Sequence, residues 1–138
     1  MNLEENFTTI EHTENEVVET YFFDTYAFFE ILRGSKAYEK YKFTKIITTK
    51  LNLFELYLGI LREHGEESAE KALETYYSFA KDFDAVVIKK AAFLKQSLNK
   101  LDVSMTDCIG YCFAKQLGIK FLTGDSVFED MENVEFVR

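Results

Sequence analysis

Four acidic residues stand where a carboxylate is hard to keep. Asp24 closes the apolar run 17–23, Glu55 interrupts the apolar stretch 51–58, Asp107 opens the small-residue stretch 108–114, and Asp125 closes the run 120–124. A carboxylate in an apolar setting has to be paired, protonated or bound to a metal, because burying it bare is costly. No Arg or Lys recurs at a matching spacing beside all four. A shared divalent cation is the economical explanation. Hard oxygen donors suit Mg²⁺ or Mn²⁺, whereas zinc would want a set of His and Cys ligands that is absent here. One or two such ions among carboxylates can activate water and stabilise an in-line displacement at phosphorus. The competing reading is capping and solvation: Asp107 suits the first turn of a helix, and Asp125 suits a turn after Gly124.

The surrounding pattern alternates strands and helices. Residues 17–24 read as a buried strand, 45–49 as a second, 85–88 as a third, 120–123 as a fourth and 134–137 as the last. Helices are expected over 26–33, 51–64, 66–82, 90–99 and 105–117, with Ser104 as a cap and Gly34, Gly65 and Gly118 as stops. In the helix over 51–64, Leu51, Phe54, Leu58 and Leu61 form the expected apolar stripe. Such alternation implies a mainly parallel sheet covered by helices on both faces, an α/β class with three layers. Ligands of such sheets bind at the carboxyl ends of the strands. Asp24 and Asp125 fall there directly, Asp107 in a first helical turn, and Glu55 one turn into the helix after the second strand.

Composition bounds the class. A chain of 138 residues makes one domain with room for a core, and 47% hydrophobic content excludes a disordered chain. No apolar run approaches a membrane span, and the acidic N-terminus lacks the layout of a signal peptide. Two cysteines do not make a disulfide scaffold, so a reduced, cytoplasmic protein is expected. Cys108 and Cys112, four apart on one helix face, read as small core positions rather than a metal or redox pair. His12 and His64 have no nearby candidate nucleophile. Tyr21, Phe22, Phe23, Phe28 and Phe29 read as core rather than as a platform for stacking bases.

The net charge of −8 hides an uneven distribution. Glu4, Glu5, Glu11, Glu14, Glu16 and Glu19 crowd the first twenty residues, which contain no Lys or Arg. Residues 1–16 therefore read as an acidic, weakly patterned and mobile arm, and 17–138 as the single folded domain. Basic stretches follow: Arg33, Lys36, Lys40, Lys42, Lys45 and Lys50 against Glu39 alone, then Lys89, Lys90, Lys95 and Lys100 with no acid among them. Local patches rather than totals steer a polyanion, so a nucleic-acid partner stays open beside the reading of ordinary solvated helix faces. Arg33, Lys36 and Lys42 are the candidates for phosphate-backbone contacts, on charge clustering alone.

Three stretches together resemble a known family. Phe22-Phe23-Asp24-Thr25-Tyr26-Ala27-Phe28 is similar to the opening strand, with its Asp-Ser/Thr ending, of the PIN-domain ribonucleases. Thr49-Lys50-Leu51-Asn52-Leu53-Phe54-Glu55-Leu56 resembles the segment where that family keeps its Glu. The likeness is sharpest over 106–128, where an Asp starts a small-residue helix, a Gly turn follows, and a strand ends in Thr123-Gly124-Asp125-Ser126-Val127-Phe128. Within the family, the pattern looks most like the VapC-type toxins of type II toxin–antitoxin pairs, over about residues 18–138.

The resemblance implies an α/β/α sandwich and a metal-dependent endoribonuclease that hydrolyses RNA phosphodiester bonds. It implies that Asp24, Glu55, Asp107 and Asp125 form the acidic site for one or two Mg²⁺ or Mn²⁺ ions. Asp24 and Asp107 would be the closest ligands, with Glu55 and Asp125 bound directly or through water. Thr123 resembles the polar helper two residues before the last Asp, a candidate substrate contact. A cognate antitoxin and a homodimer are implied as partners. Residues 1–17 match nothing in the family, and Glu129 and Asp130 add carboxylates beside the site that could hold a second ion or repel substrate. Two other classes stay open. A silent RNA-binding or scaffold protein of the same fold is one. A phosphatase or phosphotransferase with Asp24 as nucleophile is the other, although Tyr26 stands where Asp-x-Asp enzymes need their second Asp.

Overall fold

A computed structural model describes residues 3, 6, 7 and 18–138. Its centre is a sheet of four strands, β1 (Thr20–Phe23), β2 (Lys45–Ile47), β3 (Lys120–Thr123) and β4 (Val134–Phe136), in the order β2-β1-β3-β4. Every pairing is parallel. Five helices surround it: α1 (Thr25–Leu32), α2 (Lys50–His64), α3 (Glu66–Tyr76), α4 (Ala85–Ser97) and α5 (Met105–Leu117).

Strand alternation sorts the core into two halves. Phe22 and Phe121, paired in register, face α4 and α5 and pack with Phe113, Cys108 and Val87. Phe23 and Leu122, one residue on, face the other layer and pack with Phe28, Leu56 and Ile60. The small residues of α5 let that helix lie close to the sheet: a Cβ at Gly110 would fall 2.9 Å from the Phe22 ring and 3.2 Å from Phe121. Cys108 and Cys112 are buried free thiols in this layer. The layered α/β/α expectation holds.

Several details differ from the sequence reading. Residues 85–88 are not a strand but the first turn of α4, capped by Asp84, whose carboxylate accepts from the Val87 amide (3.2 Å). Their β-branched composition suggested a buried strand, yet only Val87 of the four is buried, at helical spacing from Ala91. The apolar stripe of α2 is Leu53, Leu56 and Ile60, joined by Asn52, while Phe54 and Leu61 are exposed. The helix expected over 66–82 ends at Tyr76 and tightens into a 3-10 turn, Tyr77–Phe79. A 3-10 segment, Lys36–Phe43, joins α1 to β2 and buries Tyr38 and Tyr41. Of the expected acidic arm, only Leu3, Asn6 and Phe7 are described. Leu3 and Phe7 are buried in the α1–α2–α3 layer, and Asn6 donates to the Leu32 carbonyl (2.9 Å). The rest of residues 1–16, His12 included, lies outside the described residues, as does Val17. No helix among the described residues is long and apolar enough to cross a membrane.

Candidate active site

The strand order places a switch point between β1 and β3. The chain leaves β1 toward β2 on one side, then returns to β3 on the other, so a crevice opens beyond the carboxyl ends of these two strands. Asp24 directly follows β1 and Asp125 lies two residues past β3. They are joined through Thr123, whose hydroxyl donates to Asp24 Oδ2 (2.7 Å) and accepts from the Asp125 amide (3.1 Å). Thr123 is wholly buried, and its hydroxyl ties the Asp24 carboxylate to the backbone of Asp125.

Capping places three of the four acids. Asp24 is the N-cap of α1 and accepts from the Thr25 amide (2.8 Å). Asp107 completes a capping box with Ser104: its carboxylate accepts from the Ser104 amide (2.9 Å) while its own amide donates to the Ser104 hydroxyl (3.1 Å). Asp125 caps the 3-10 turn Ser126–Phe128 through the Val127 amide (3.0 Å). Glu55 is different. It sits in the second turn of α2 and is reached by the Thr25 hydroxyl (2.8 Å).

Capping explains each position singly but not the electrostatics of the group. Hydrogen bonds to a carboxylate lower its pKa, yet Asp24 is pushed up to about 8, by burial first and then by the charges of Asp107 and Glu55, against the bonds from Thr123 and Thr25. Burial also raises Asp107, and the charge of Asp125 adds to it. Glu55 is raised by burial and by Asp107, with bonds from Thr25 and Thr106 opposing. The structure thus brings Asp24, Glu55 and Asp107 within electrostatic reach of one another, with Asp125 joined to them through Asp107. Among the described residues, none of the four pairs with a Lys or Arg. No three His, Cys, Asp or Glu side chains among the described residues already form a metal-ligating cluster.

A second signal was missed from sequence. The buried polar side chains among the described residues are Asp24, Thr48, Thr49, Asn52, Thr106 and Thr123, and all belong to this edge. Buried polar groups are kept only where they are satisfied or used. Asn52 carried the one available hint, a polar residue three before Glu55 on the same helix face.

The basic candidates are not brought in. Arg33 follows the last residue of α1 whereas Asp24 precedes the first, about 14 Å apart along the axis. Arg33 pairs with Glu30 (3.1 Å), and the Lys42 ammonium donates to Asn6 (3.2 Å) at that same far end. Lys36 is exposed on the segment just beyond Arg33. Lys50, the first residue of α2, is exposed, and its ammonium lies 4.0 Å from the Asp82 carboxylate.

A model of the PIN domain matches residues 21–134. The chain belongs to the PIN-domain family. Solved structures share the fold of this PIN domain at low identity. They include VapC20 of Mycobacterium tuberculosis, a sarcin–ricin-loop-cleaving toxin, at 18% identity and TM-score 0.70, covering 86% of this chain and 99% of that one. VapBC2 of Rickettsia felis, bound to a promoter DNA fragment, gives 19% and 0.65 over 86% and 99%. A toxin–antitoxin complex from Klebsiella pneumoniae gives 17% and 0.64 over 83% and 94%. Comparison with curated proteins gives no match.

The turn that carries Asp125 in this PIN domain depends on Gly124. A Cβ there would fall 2.5 Å from the Val137 carbonyl oxygen and closer still to the Tyr26 ring. That oxygen is backbone and already accepts from the Tyr38 hydroxyl (2.6 Å), so it has little room to move. Gly124→Ala should destabilise the fold by about 1–3 kcal/mol, read as a lowered denaturation midpoint at unchanged slope.

Proposed function

We propose that the chain is a divalent-metal-dependent endoribonuclease, the toxin of a toxin–antitoxin pair. The observation that carries the reading is the convergence of four carboxylates, with no cationic partner among the described residues, at the switch point of a PIN-domain sheet. The donor set fits Mg²⁺ or Mn²⁺: every candidate ligand is a hard oxygen, and a divalent cation would offset the burial and, after it, the repulsion that lift Asp24. Asp24 and Asp107 would hold it most closely, with Glu55 and Asp125 bound directly or through water. One or two ions bound there would supply Lewis acidity and an activated water.

The chain's own residues do the rest. Thr123 and the Thr25 amide orient Asp24, and the capping box orients Asp107. Glu55, half-buried on α2, is held by the Thr25 hydroxyl. The amino ends of α1 and α5 carry Asp24 and Asp107, and α2 starts about one turn before Glu55, so three helix amino ends would lend partial positive charge to a phosphate bound there. Lys50 would add a salt-sensitive contact to the RNA backbone. RNA as substrate and an antitoxin as partner are supported by the likeness to a sarcin–ricin-loop-cleaving toxin and to toxin–antitoxin complexes. A homodimer is proposed on the same likeness. Asp24 is a poor candidate for a phosphatase nucleophile, because Tyr26 stands where Asp-x-Asp enzymes need their second Asp.

The test is cleavage of mixed single-stranded RNA with Mg²⁺ or Mn²⁺, with EDTA, and by Asp107→Asn. The amide side chain of the variant still accepts the capping bond from the Ser104 N–H, so this substitution removes charge and spares the fold. Cleavage should fall roughly 10²–10³-fold in the variant and stop in EDTA. Cutting that survives both would defeat the proposal. Tight metal binding by the unmutated chain without any cutting would favour the scaffold reading instead.

A further inference from the structure

Beneath the carboxylates runs a chain of hydrogen bonds with a definite direction. Thr49 Oγ1 donates to Asn52 Oδ1 (2.6 Å), Asn52 Nδ2 donates to Thr25 Oγ1 (3.1 Å), and Thr25 Oγ1 donates to Glu55 Oε1 (2.8 Å). An amide nitrogen only donates and an ionised carboxylate only accepts. Thr25 receives the Asn52 N–H on a lone pair, so its single proton is free for Glu55. At the other end, Thr49 accepts from the Asn52 backbone amide (3.3 Å), which leaves the Thr49 proton for Asn52 Oδ1 and sets which way the side-chain amide faces.

Thr25 is the point where this chain meets the first acid. Its backbone N–H donates to Asp24 Oδ1 (2.8 Å) while its hydroxyl holds Glu55. One residue therefore grips two carboxylates that repel each other. Asn52 is wholly buried on a face of α2 otherwise filled by Leu53, Leu56 and Ile60. A leucine would suit that setting, so an amide is kept there only if its polar atoms are used.

We propose that Asn52 is a positioning residue. It commits the Thr25 hydroxyl proton to Glu55 and so presents Glu55 to a divalent cation held with Asp24 and Asp107. The cation rests on the nuclease reading above, whereas the hydrogen-bond order does not. Residues that orient a ligating carboxylate in this way typically change metal affinity by about 10–100-fold.

The experiment measures Mn²⁺ affinity by calorimetry for the full chain and for Asn52→Leu, Thr25→Val, Thr25→Ser and the Asn52→Leu/Thr25→Val double variant, beside crystal structures of the metal-free proteins. Asn52→Leu and Thr25→Val should each weaken Mn²⁺ about tenfold or more. Because both act through one bond to Glu55, the double variant should be no worse than the poorer single. Thr25→Ser keeps the hydroxyl and should restore binding to about twofold of the unmutated chain. Multiplicative losses, or a serine variant as weak as valine, would overturn the assignment. If the unmutated chain binds no Mn²⁺, the nuclease reading fails and the structures decide the rest. In Asn52→Leu the Glu55 carboxylate should leave hydrogen-bond reach of Thr25; if that bond persists, Asn52 positions nothing. Should Asn52→Leu not fold, Asn52→Ser takes its place in both measurements.

Discussion

Asp24→Asn should abolish metal binding and RNA cleavage while making the metal-free protein more stable. The carboxyl of Asp24 is lifted from 3.8 to about 8, chiefly by burial and then by Asp107. The folded state therefore holds a proton that the unfolded chain releases near the ordinary carboxylate value. Folding stability is insensitive to this group below about pH 4, where both states are protonated. It falls as pH rises from there, and the loss is complete above about pH 8, where the folded protein carries a buried charge beside other acids. A tenfold change in proton affinity is worth about 1.4 kcal/mol, and the site relaxes as it ionises, so a loss on the order of 2–4 kcal/mol is expected. The asparagine of the variant has no charge to lose, and its amide still accepts from the Thr25 N–H and meets the Thr123 hydroxyl. Thermal melts in EDTA should place the variant roughly 5–15 °C above the unmutated chain at pH 9 and close to it at pH 4. Excess Mg²⁺ should close that gap by stabilising only the unmutated chain. A variant that melts lower at pH 9 would show that Asp24 is not electrostatically strained.

Phe121→Ala should bring the largest loss of stability. Phe121 is fully buried, 5.7 Å from the Phe22 ring, 5.8 Å from Tyr111 and 5.0 Å from Phe128, measured between centroids. These contacts hold the α4–α5 layer to the sheet and the 3-10 turn after Asp125 to β3. Truncating such a side chain removes its transfer free energy and leaves a cavity, at about 3–5 kcal/mol. For a domain of this size the melting temperature should drop by roughly 10–20 °C. Below that temperature metal affinity should stay within a few fold, because the carboxylates hang on backbone and threonine contacts rather than on this ring. A loss under about 1 kcal/mol would mean that α5 settles into the space.

Residue pattern carries some of these features and not others. Strand ends were legible because an apolar run stops abruptly at Asp24 and at Asp125, and a parallel sheet puts both at one edge. Ser104 and Asp107 were legible as a helix start because capping is local chemistry within four residues. The segment 85–88 was not legible: three β-branched residues and an alanine say strand, while the Asp84 cap and the packing of α4 on α5 say helix, and the packing wins. Charge clustering likewise carries no record of where Arg33 stands, at the end of α1 opposite Asp24.

By itself the sequence determined the four strands of the sheet, the acids at the ends of two of them, and the absence of a cationic partner spaced to match the acids, because these follow from local periodicity and composition. Only the tertiary structure decided that burial and neighbouring acids raise the pKa of Asp24, Glu55 and Asp107, and that Thr123 and Thr25 hold the carboxylates of Asp24 and Glu55. It also decided that the buried polar residues of the described chain, Asn52 among them, gather at one edge. Those properties depend on distances between residues up to 99 positions apart in the chain, as with Asp24 and Thr123. Such distances are set by the order β2-β1-β3-β4 and by the two packed cores, and local periodicity carries no record of them.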